Sequence, residues 1–402
     1  MELIKLGYAG TMESSDVYVV TKPNPGKGIS ISLESVVKRQ FGDSILETVQ
    51  NVLRELEVTD AVVELSDKGG ARQRHPLAGS GGCLPVGGGR GVRLGKGAGT
   101  QMTKETLRRS LLYISGSSPA NLAHAPYYGA DCLIYDLEDS VPVAEKDAAR
   151  FLIFNTLLKK RPKNVEVIVR VNALSTPFGH EDLEAVVRAR PDIVRFPKIE
   201  TPEDVRRADE AIRAVEEKAG IAPGSTKMIA GMETHTGVLN AREIATASPR
   251  TVAISIGGED FTASMKTTRS VDGLELFYAR NAVLLAARAA GIQAIDTIFA
   301  DINNTEGLIE DTKLIKKLGF DGKYLIHPRQ VEPVNEIFTP TEKELEKALR
   351  VFEAIRQAHE KNLGVITLDG GMVDEPIVER ARRVVSLAQA AGMIDGGDIV
   401  WQ

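Results

Sequence analysis

Short apolar runs recur along the chain from about residue 108 onward, and stretches long enough for a helix separate them. The eight runs are Arg109–Ser115, Cys132–Asp139, Val165–Val171, Ile193–Lys198, Lys227–Glu233, Val252–Asp260, Ile292–Thr297 and Tyr324–His327. Strands that alternate with helices in this way are typical of a parallel barrel, in which catalytic residues project from the carboxyl ends of the strands. The pattern therefore predicts an α/β fold built on a (β/α)8 TIM-type barrel.

The barrel is expected to lie within residues 102–402, and the chain continues past the last strand. Apolar residues recur at helical spacing over Thr341–Asn362, and a second helical stretch lies near Glu375–Ala391. We therefore expect a tail of C-terminal helices after the barrel.

The first quarter of the chain divides into two stretches of different character. In residues 1–68, the runs Asp16–Thr21, Ile29–Leu33 and Ala61–Leu65 predict strands, with a helix between the last two, and so a small α+β domain. Residues 69–101 are dense in glycine, lack acidic residues and show no apolar period, which predicts a flexible linker. Neither a Walker motif nor GxGxxG occurs there, which argues against a phosphate-binding loop.

Composition narrows the class of protein. A length of 402 residues suits one barrel of about 250 residues and a smaller domain. A formal net charge of −5 provides no general attraction to nucleic acid or to an anionic membrane. No signal peptide or membrane span is evident, and the two cysteines, Cys83 and Cys132, form no disulfide framework. These features predict a cytoplasmic protein that binds neither nucleic acid nor membrane.

Charged residues stand at the ends of several of the predicted barrel strands. They are Asp136, Glu138, Asp139, Arg170, Lys198, Glu233 and Asp260. A ring of carboxylates with interspersed cations at the carboxyl ends of parallel strands predicts a site for a divalent metal and an anionic substrate. The chain has no CxxC, HExxH or clustered Cys and His residues, which argues against zinc.

Several motifs of the barrel segment resemble the β subunit of citrate lyase, the citryl-thioester lyase. They are RRSLLYISG (108–116), YDLEDSVPVAEKDAAR (135–150), VRFPKIET (194–201), GGEDF (257–261), LGFDGKYLIHPRQ (318–330) and GMVDEPIVERAR (371–382). That family belongs to a group of magnesium-dependent barrels that also includes malyl- and citramalyl-thioester lyases. The resemblance implies retro-Claisen cleavage of a citryl-thioester to oxaloacetate and an acetyl-thioester.

Such a reaction needs a Lewis acid, and Mg²⁺ prefers hard oxygen ligands, usually only one or two of them protein carboxylates. Glu233 and Asp260 end the fifth and sixth runs, which are neighbours in a barrel, and they match the metal ligands of the resembling family. Taken singly, each is better explained as a surface acid at a strand end. As a pair in matching motifs, they are predicted to hold the metal, Mg²⁺ or Mn²⁺.

Two arginines are candidates for binding the anionic substrate. Arg170 lies near the end of the third run, where a guanidinium can hold a carboxylate bidentately or steady the charge of an enolate. Its alternative is an ion pair with Glu138 or Asp139, and the two roles are compatible. Glu138 and Asp139 are expected to contribute to substrate binding beside Arg170. Arg109 is expected to help bind carboxylate or phosphate, with closure of the barrel bottom as its alternative.

The remaining polar residues near strand ends are assigned supporting roles. Asp136 and Glu138 are expected to orient Arg170, metal-bound water and Lys146 rather than act as bases. Lys198 is compatible with a Schiff-base lysine, but the metal carboxylates favour a structural or electrostatic role. His327, which Pro328 follows, is expected to be structural.

Three motifs of the first segment resemble the acyl carrier, or γ, subunit of citrate lyase: AGTMESSDV (9–17), SVVKRQFGDSI (35–45) and DKG (67–69). In that family the serine after the glutamate carries a phosphoribosyl-dephospho-coenzyme A prosthetic group. Here that residue is Ser14, with Ser15 as the neighbouring alternative. The resemblance also implies a partner, the citrate lyase α subunit, which exchanges citrate for acetate on the carrier.

Carrier and lyase normally occur as separate subunits, so one continuous chain departs from the family pattern. Residues 69–101 are therefore open to a second interpretation, a frame-shifted carrier terminus read through an intergenic gap. The DNA sequence of the gene distinguishes this from a genuine linker.

Asp374, in the motif GMVDEP, lies beyond the barrel. In the relatives of this lyase, the matching aspartate reaches the site of a neighbouring subunit and exchanges the proton with the enolate carbon. The resemblance thus implies a homo-oligomer. The alternative is a helix N-cap before Glu375 and Pro376.

Two further functions compete with a fused carrier and lyase. One is a lyase that acts on free malyl- or citramalyl-coenzyme A, against which the carrier segment argues. The other is a non-enzymatic carrier scaffold, against which the intact Glu233, Asp260 and Arg170 argue.

Overall fold

The structure of the protein is a computed structural model, and it describes residues 7–9, 17–24, 26–35, 46–47, 49–50, 53–54, 59–67, 106–360 and 367–394. The predicted attachment residue Ser14 and the predicted linker, residues 69–101, lie outside the described residues. The chain divides into two compact units, residues 1–93 and 94–402. The finer boundaries after residues 68 and 101 stay predictions.

The first unit contains a four-stranded sheet with the order β1-β2-β4-β3. Its strands are β1 Gly7–Ala9, β2 Val17–Pro23, β3 Ile29–Ser35 and β4 Ala61–Asp67. Because β3 and β4 are parallel, the chain must cross over between them, and residues 46–47, 49–50 and 53–54 of this crossover are helical. Leu33, Leu53, Val63 and Leu65 form a small apolar core. The expected α+β arrangement is present, and β1 is an addition to it.

Eight parallel strands close into a barrel in the second unit. They are β5 Ser110–Ser115, β6 Cys132–Asp136, β7 Glu166–Arg170, β8 Ile193–Phe196, β9 Lys227–Met232, β10 Thr251–Ile256, β11 Gln293–Asp296 and β12 Gly322–Leu325. The last strand pairs with the first, with Tyr324 opposite Leu111. The predicted barrel is therefore confirmed, and each strand begins within two residues of its predicted start.

Helices follow the strands; all but the last two belong to the outer layer of the barrel, and the last two form the C-terminal tail. They are α1 Pro119–His124, α2 Lys146–Lys160, α3 Gly179–Arg188, α4 Pro202–Lys218, α5 His235–Leu239, α6 Ala241–Thr246, α7 Gly258–Ser264, α8 Phe277–Ala290, α9 Thr305–Leu318, α10 Val331–Phe338, α11 Glu342–Glu360 and α12 Glu375–Ala390. The local sequence defines some of their starts: Thr201 and Asp204 form a reciprocal capping box before α4, and Pro202 occupies its first turn. None of the helices in the described ranges is long and apolar enough to cross a bilayer.

Alternation along each strand separates two apolar layers. Leu112 and Leu133 face the helices in the larger core, whereas Leu111, Cys132 and Ile134 face the barrel interior. Cys132 is fully buried there, as expected for a small apolar side chain. The same alternation directs the polar residues at the strand ends toward the barrel mouth.

The two C-terminal helices, α11 and α12, form a core of their own with a short hairpin. The hairpin strands are β13 Thr367–Leu368 and β14 Gly371–Met372. Arg383 of α12 donates to Asp321, which precedes β12, over 2.8 Å. This ion pair anchors the tail at the amino end of the barrel, opposite to the mouth.

Candidate functional site

Arg170 and three acids meet at the carboxyl ends of β6 and β7. Asp136 and Arg170 are register partners, and the Nε and Nη2 atoms of Arg170 donate to the two carboxylate oxygens of Asp136 over 2.5 and 2.7 Å. The Nη1 atom lies 2.8 Å from Glu138 and 3.0 Å from Asp139. Burial opposes ionisation of Asp136, but Arg170 outweighs it and holds the pKa of Asp136 below its ordinary value. The expected ion pairs of Arg170 are thus present.

Glu233 and Asp260 follow β9 and β10, which are adjacent in the barrel. Glu233 is buried directly after its strand, whereas Asp260 is exposed in the first turn of α7. A Cβ atom at Gly257 would lie 2.6 Å from Cγ of Glu233, so this position admits only glycine without movement. The backbone N–H of Gly258 donates to Thr297 Oγ1 over 2.8 Å and fixes the start of the helix that carries Asp260.

The two carboxyl groups influence each other. Burial and the neighbouring Glu233 raise the pKa of Asp260. Burial also acts to raise the pKa of Glu233, but Arg195 outweighs it, so the pKa of Glu233 is lowered. Two carboxylates that compete for ionisation at one place fit a divalent cation, which neutralises both. Within residues 106–360 and the other described parts, no group of three or more His, Cys, Asp or Glu side chains is placed to hold a metal ion.

Arg195 was not predicted as a site residue, although the structure places it beneath Glu233. It lies on β8 in register with Arg170 of β7, and its Nη2 atom donates to Oε1 of Glu233 over 2.6 Å. The signal in the sequence was an arginine inside the apolar run IVRF, three residues before the end of the predicted run Ile193–Lys198. Its contact depends on the register between β8 and β9, which the sequence alone does not specify.

Glu138 lies between the cations of the mouth. Burial raises the pKa of Glu138 to about 7, although Arg170 and Arg195 act in the opposite direction. Lys198 Nζ is 3.7 Å from Oε1 of Glu138, which agrees with the electrostatic role expected for Lys198. Lys146 does not contact the carboxylates: it donates to the backbone carbonyls of Leu137 and Glu138 over 2.8 and 2.9 Å. The expectation that the acids orient Lys146 is therefore corrected, because Lys146 holds the backbone of their loop.

Arg109 lies at the other end of the barrel. It precedes β5 and forms a two-pronged ion pair with Asp131, which precedes β6, over 2.8 and 2.7 Å. Its Nη1 atom donates to Thr339, beyond the end of α10. These contacts place Arg109 at the amino end of the barrel, away from the mouth. The expected substrate role of Arg109 is therefore corrected, and its contacts agree with the alternative, closure of the barrel bottom.

Asp374 and His327 both cap helical segments. The Asp374 carboxylate accepts from the N–H of Ile377 over 3.2 Å at the start of α12. The Nδ1 atom of His327 accepts from the N–H of Arg329 over 3.2 Å, as expected for a structural histidine. Within one chain, Asp374 belongs to the tail rather than to the mouth.

Two family models match the chain in succession. The model described as HpcH/HpaI aldolase/citrate lyase matches residues 109–328. The acyl carrier model described as malonate decarboxylase delta subunit matches residues 5–72. The order of carrier and barrel is thus the order expected from the motifs.

Individual relatives match the barrel unit. The citrate lyase subunit beta of Leuconostoc mesenteroides subsp. cremoris is 47% identical over 73% of this chain and 97% of its own length. The mitochondrial citramalyl-CoA lyase of Homo sapiens is 32% identical over 70% of this chain and 85% of its own length. The structure of protein CitE from Mycobacterium tuberculosis in complex with magnesium, acetoacetate and coenzyme A is 32% identical, with a TM-score of 0.58 over 70% of this chain and 98% of that one. The resemblance drawn from the motifs is confirmed.

Proposed function

Because the chain belongs to the HpcH/HpaI aldolase/citrate lyase family, we propose that this carbon–carbon lyase cleaves a citryl-thioester into oxaloacetate and an acetyl-thioester. The observation that carries the proposal is the meeting of Glu233, Asp260 and Arg170 at one barrel mouth. A retro-Claisen cleavage removes the hydroxyl proton, breaks the adjacent carbon–carbon bond and leaves a thioester enolate that must be protonated. The mouth supplies the charges that such a reaction needs.

Glu233 and Asp260 would hold Mg²⁺ or Mn²⁺, which supplies Lewis-acid polarisation of the oxygen that becomes the ketone. Two protein carboxylates are the usual share for Mg²⁺, which fills its remaining positions with water and substrate oxygens. The magnesium present in the matching CitE complex supports this assignment.

Arg170 would bind a substrate carboxylate or the charge of the enolate. Asp136 accepts hydrogen bonds from the Nε and Nη2 atoms of the guanidinium, and Nη1 points toward Glu138 and Asp139. A planar fork that is already oriented loses little entropy when it binds an anion. Glu138 and Asp139 share that edge, so we assign them to substrate binding beside Arg170.

Asp374 would protonate the enolate carbon only from a second copy of the chain. Its helix is anchored through Arg383 to the amino end of its own barrel, opposite to the mouth. A catalytic Asp374 therefore requires a homo-oligomer, in which the tail of one chain covers the mouth of another.

The carrier segment would present the thioester on a phosphoribosyl-dephospho-coenzyme A group at Ser14, loaded with citrate by an α subunit. The match of residues 5–72 to an acyl carrier model supports a carrier. Tethering raises the local concentration of thioester at the mouth. In the complex with the α subunit, Ser14→Ala should abolish citrate cleavage but leave the cleavage of added citryl-coenzyme A intact. Loss of both would contradict a carrier role separate from the lyase.

The test of the lyase mixes the purified full chain with citryl-coenzyme A and Mg²⁺ and follows oxaloacetate. Oxaloacetate release should depend on the metal and be lost in Asp260→Asn. The control variant is Glu259→Gln, which should keep the release of oxaloacetate. Glu259 lies on the same helical turn but pairs with Arg269 over 3.2 Å. Cleavage of citramalyl-coenzyme A instead would give the protein the activity that its human relative's name describes. Cleavage of malyl-coenzyme A instead would likewise replace the proposed substrate with a free coenzyme A thioester. Cleavage of no thioester would support the non-enzymatic scaffold.

A further inference from the structure

Arg195 lies inside the barrel beneath the proposed metal ligands. Its side chain is 2% exposed, and Nη2 donates to Oε1 of Glu233 over 2.6 Å. Its Nε and Nη1 atoms are buried and have no hydrogen-bond partner among the described residues. Nη1 is 3.9 Å from Glu138. Among the described residues, the guanidinium therefore makes one hydrogen bond, to a single oxygen of Glu233.

The strand that precedes Glu233 is shaped to admit this guanidinium. A Cβ atom at Gly231 of β9 would lie 2.6 Å from Nη2 and 2.9 Å from Cζ of Arg195. Alternation along β9 points positions 229, 231 and 233 toward the same interior. Any side chain at position 231 would therefore displace the guanidinium from Glu233.

Aromatic rings line the interior around Arg195. Its Cζ atom lies 5.8 Å from the ring centroid of Tyr324, a cation–π distance. The Tyr324 hydroxyl donates to Ser255 over 2.9 Å, and its ring contacts Tyr113 at a centroid separation of 5.2 Å. These contacts hold the neighbourhood of Arg195 rigid, so the position of Glu233 depends on packed side chains rather than on a loop.

We propose that Arg195 is a positioning residue for the metal centre: it binds Oε1 of Glu233 from inside the barrel and thereby presents the other carboxylate oxygen to the metal. This inference rests on the proposed function. Charge-assisted hydrogen bonds are stronger than neutral ones, and groups that orient a metal ligand typically contribute about 10–100-fold to metal affinity. Gly231 contributes to this positioning because its missing side chain leaves space for the guanidinium of Arg195.

The test measures Mn²⁺ binding to the full chain by the electron paramagnetic resonance signal of free Mn²⁺. Arg195→Lys keeps the charge but loses the planar fork, and Gly231→Ala displaces the guanidinium without removing any charge. Both should raise the Kd for Mn²⁺ about tenfold or more. The matched control is Arg108→Lys, since Arg108 is also buried and pairs with Glu166 over 2.5 Å, but at the amino end of the barrel. The control should keep the Kd within about twofold of that of the unmodified protein.

Circular dichroism and thermal unfolding establish which variants fold. If Gly231→Ala does not fold, Arg195→Lys decides the question alone. Folded variants that bind Mn²⁺ with an unchanged Kd would overturn the role of Arg195 and leave the proposed function standing. An unmodified protein that binds no Mn²⁺ would overturn the proposed metal centre and this inference together.

Discussion

At the level of single residues, the guanidinium of Arg170 is held in a fixed orientation in which it could bind an anion. Its fork is held by two hydrogen bonds to Asp136, and the remaining edge meets Glu138 and Asp139 at the mouth. The acids keep the guanidinium in place because each bond fixes its plane as well as its position. A lysine at position 170 would keep the positive charge, but its ammonium group lacks the planar fork that makes two parallel hydrogen bonds.

Arg170→Lys should therefore lower kcat/KM for citryl-coenzyme A about 100-fold, as expected for the loss of one oriented donor to a developing charge. Arg150→Lys provides the matched control. Arg150 also meets three acids, Asp147, Glu181 and Asp182, but on the outer helices α2 and α3. Steady-state kinetics that show equal losses in both variants would contradict the role of Arg170.

At the element scale, α12 gives Asp374 two separable roles. The carboxylate caps the helix by accepting from the N–H of Ile377, and asparagine caps as well as aspartate does. An amide, however, transfers no proton as a carboxyl group does. The same side chain can therefore be tested for capping and for catalysis by two substitutions.

Asp374→Asn should keep the Tm of the protein and lose lyase activity, because the cap survives and the acid does not. Asp374→Ala should also lower the stability of the helix by about 1 kcal/mol. Differential scanning calorimetry and oxaloacetate release measure the two effects. An active Asp374→Asn variant would restrict Asp374 to capping.

The direction of each strand, another property of elements, decides which end of the barrel a charged residue occupies. Glu233 directly follows β9, which places it at the mouth, whereas Arg109 directly precedes β5, which places it at the bottom. Chain direction within a parallel barrel contains this information. The expectation for Arg109 was wrong because Arg109 stands at the start of its run, and the start of a parallel strand lies at the barrel bottom.

At the scale of the whole molecule, a buried ionic network joins β11 and β12 to the helical layer. Arg280 and Lys323 share Asp296 and Asp311 over distances of 2.6 to 3.0 Å. Burial opposes ionisation of Asp296, but Lys323 and Arg280 outweigh it and lower the pKa of Asp296 to about 2. The folded state therefore binds this proton less readily than the unfolded chain, whose aspartate has the ordinary value of 3.8.

Since the folded pKa is depressed, the stabilisation from Asp296 is complete above the unfolded pKa and is lost as the pH falls toward about 2. It amounts to on the order of 2 kcal/mol. Asp296→Asn should cost about 3–5 kcal/mol near neutral pH, because it leaves buried cations short of a partner. The difference from the unmodified protein should shrink below about pH 4 in urea denaturation. A difference that stays constant with pH would show that Asp296 is not ionised in the folded barrel.

Local sequence patterns predict the order of the strands along the chain, the fold class and the residues at the carboxyl ends, among them Arg170, Glu233 and Asp260. These follow from local apolar period and from chain direction, which act over a few residues at a time. Motifs that are contiguous in the chain also predict the carrier-then-barrel order.

Which of these side chains touch becomes visible in the folded barrel alone. The register between β8 and β9 brings Arg195 to Glu233, to which it donates a hydrogen bond. The same register places the guanidinium where a side chain at position 231 would otherwise lie. The two hydrogen bonds from Arg170 to Asp136 depend in the same way on the register between β6 and β7. Register is set by closure of all eight strands at once, so no single segment of the sequence contains it.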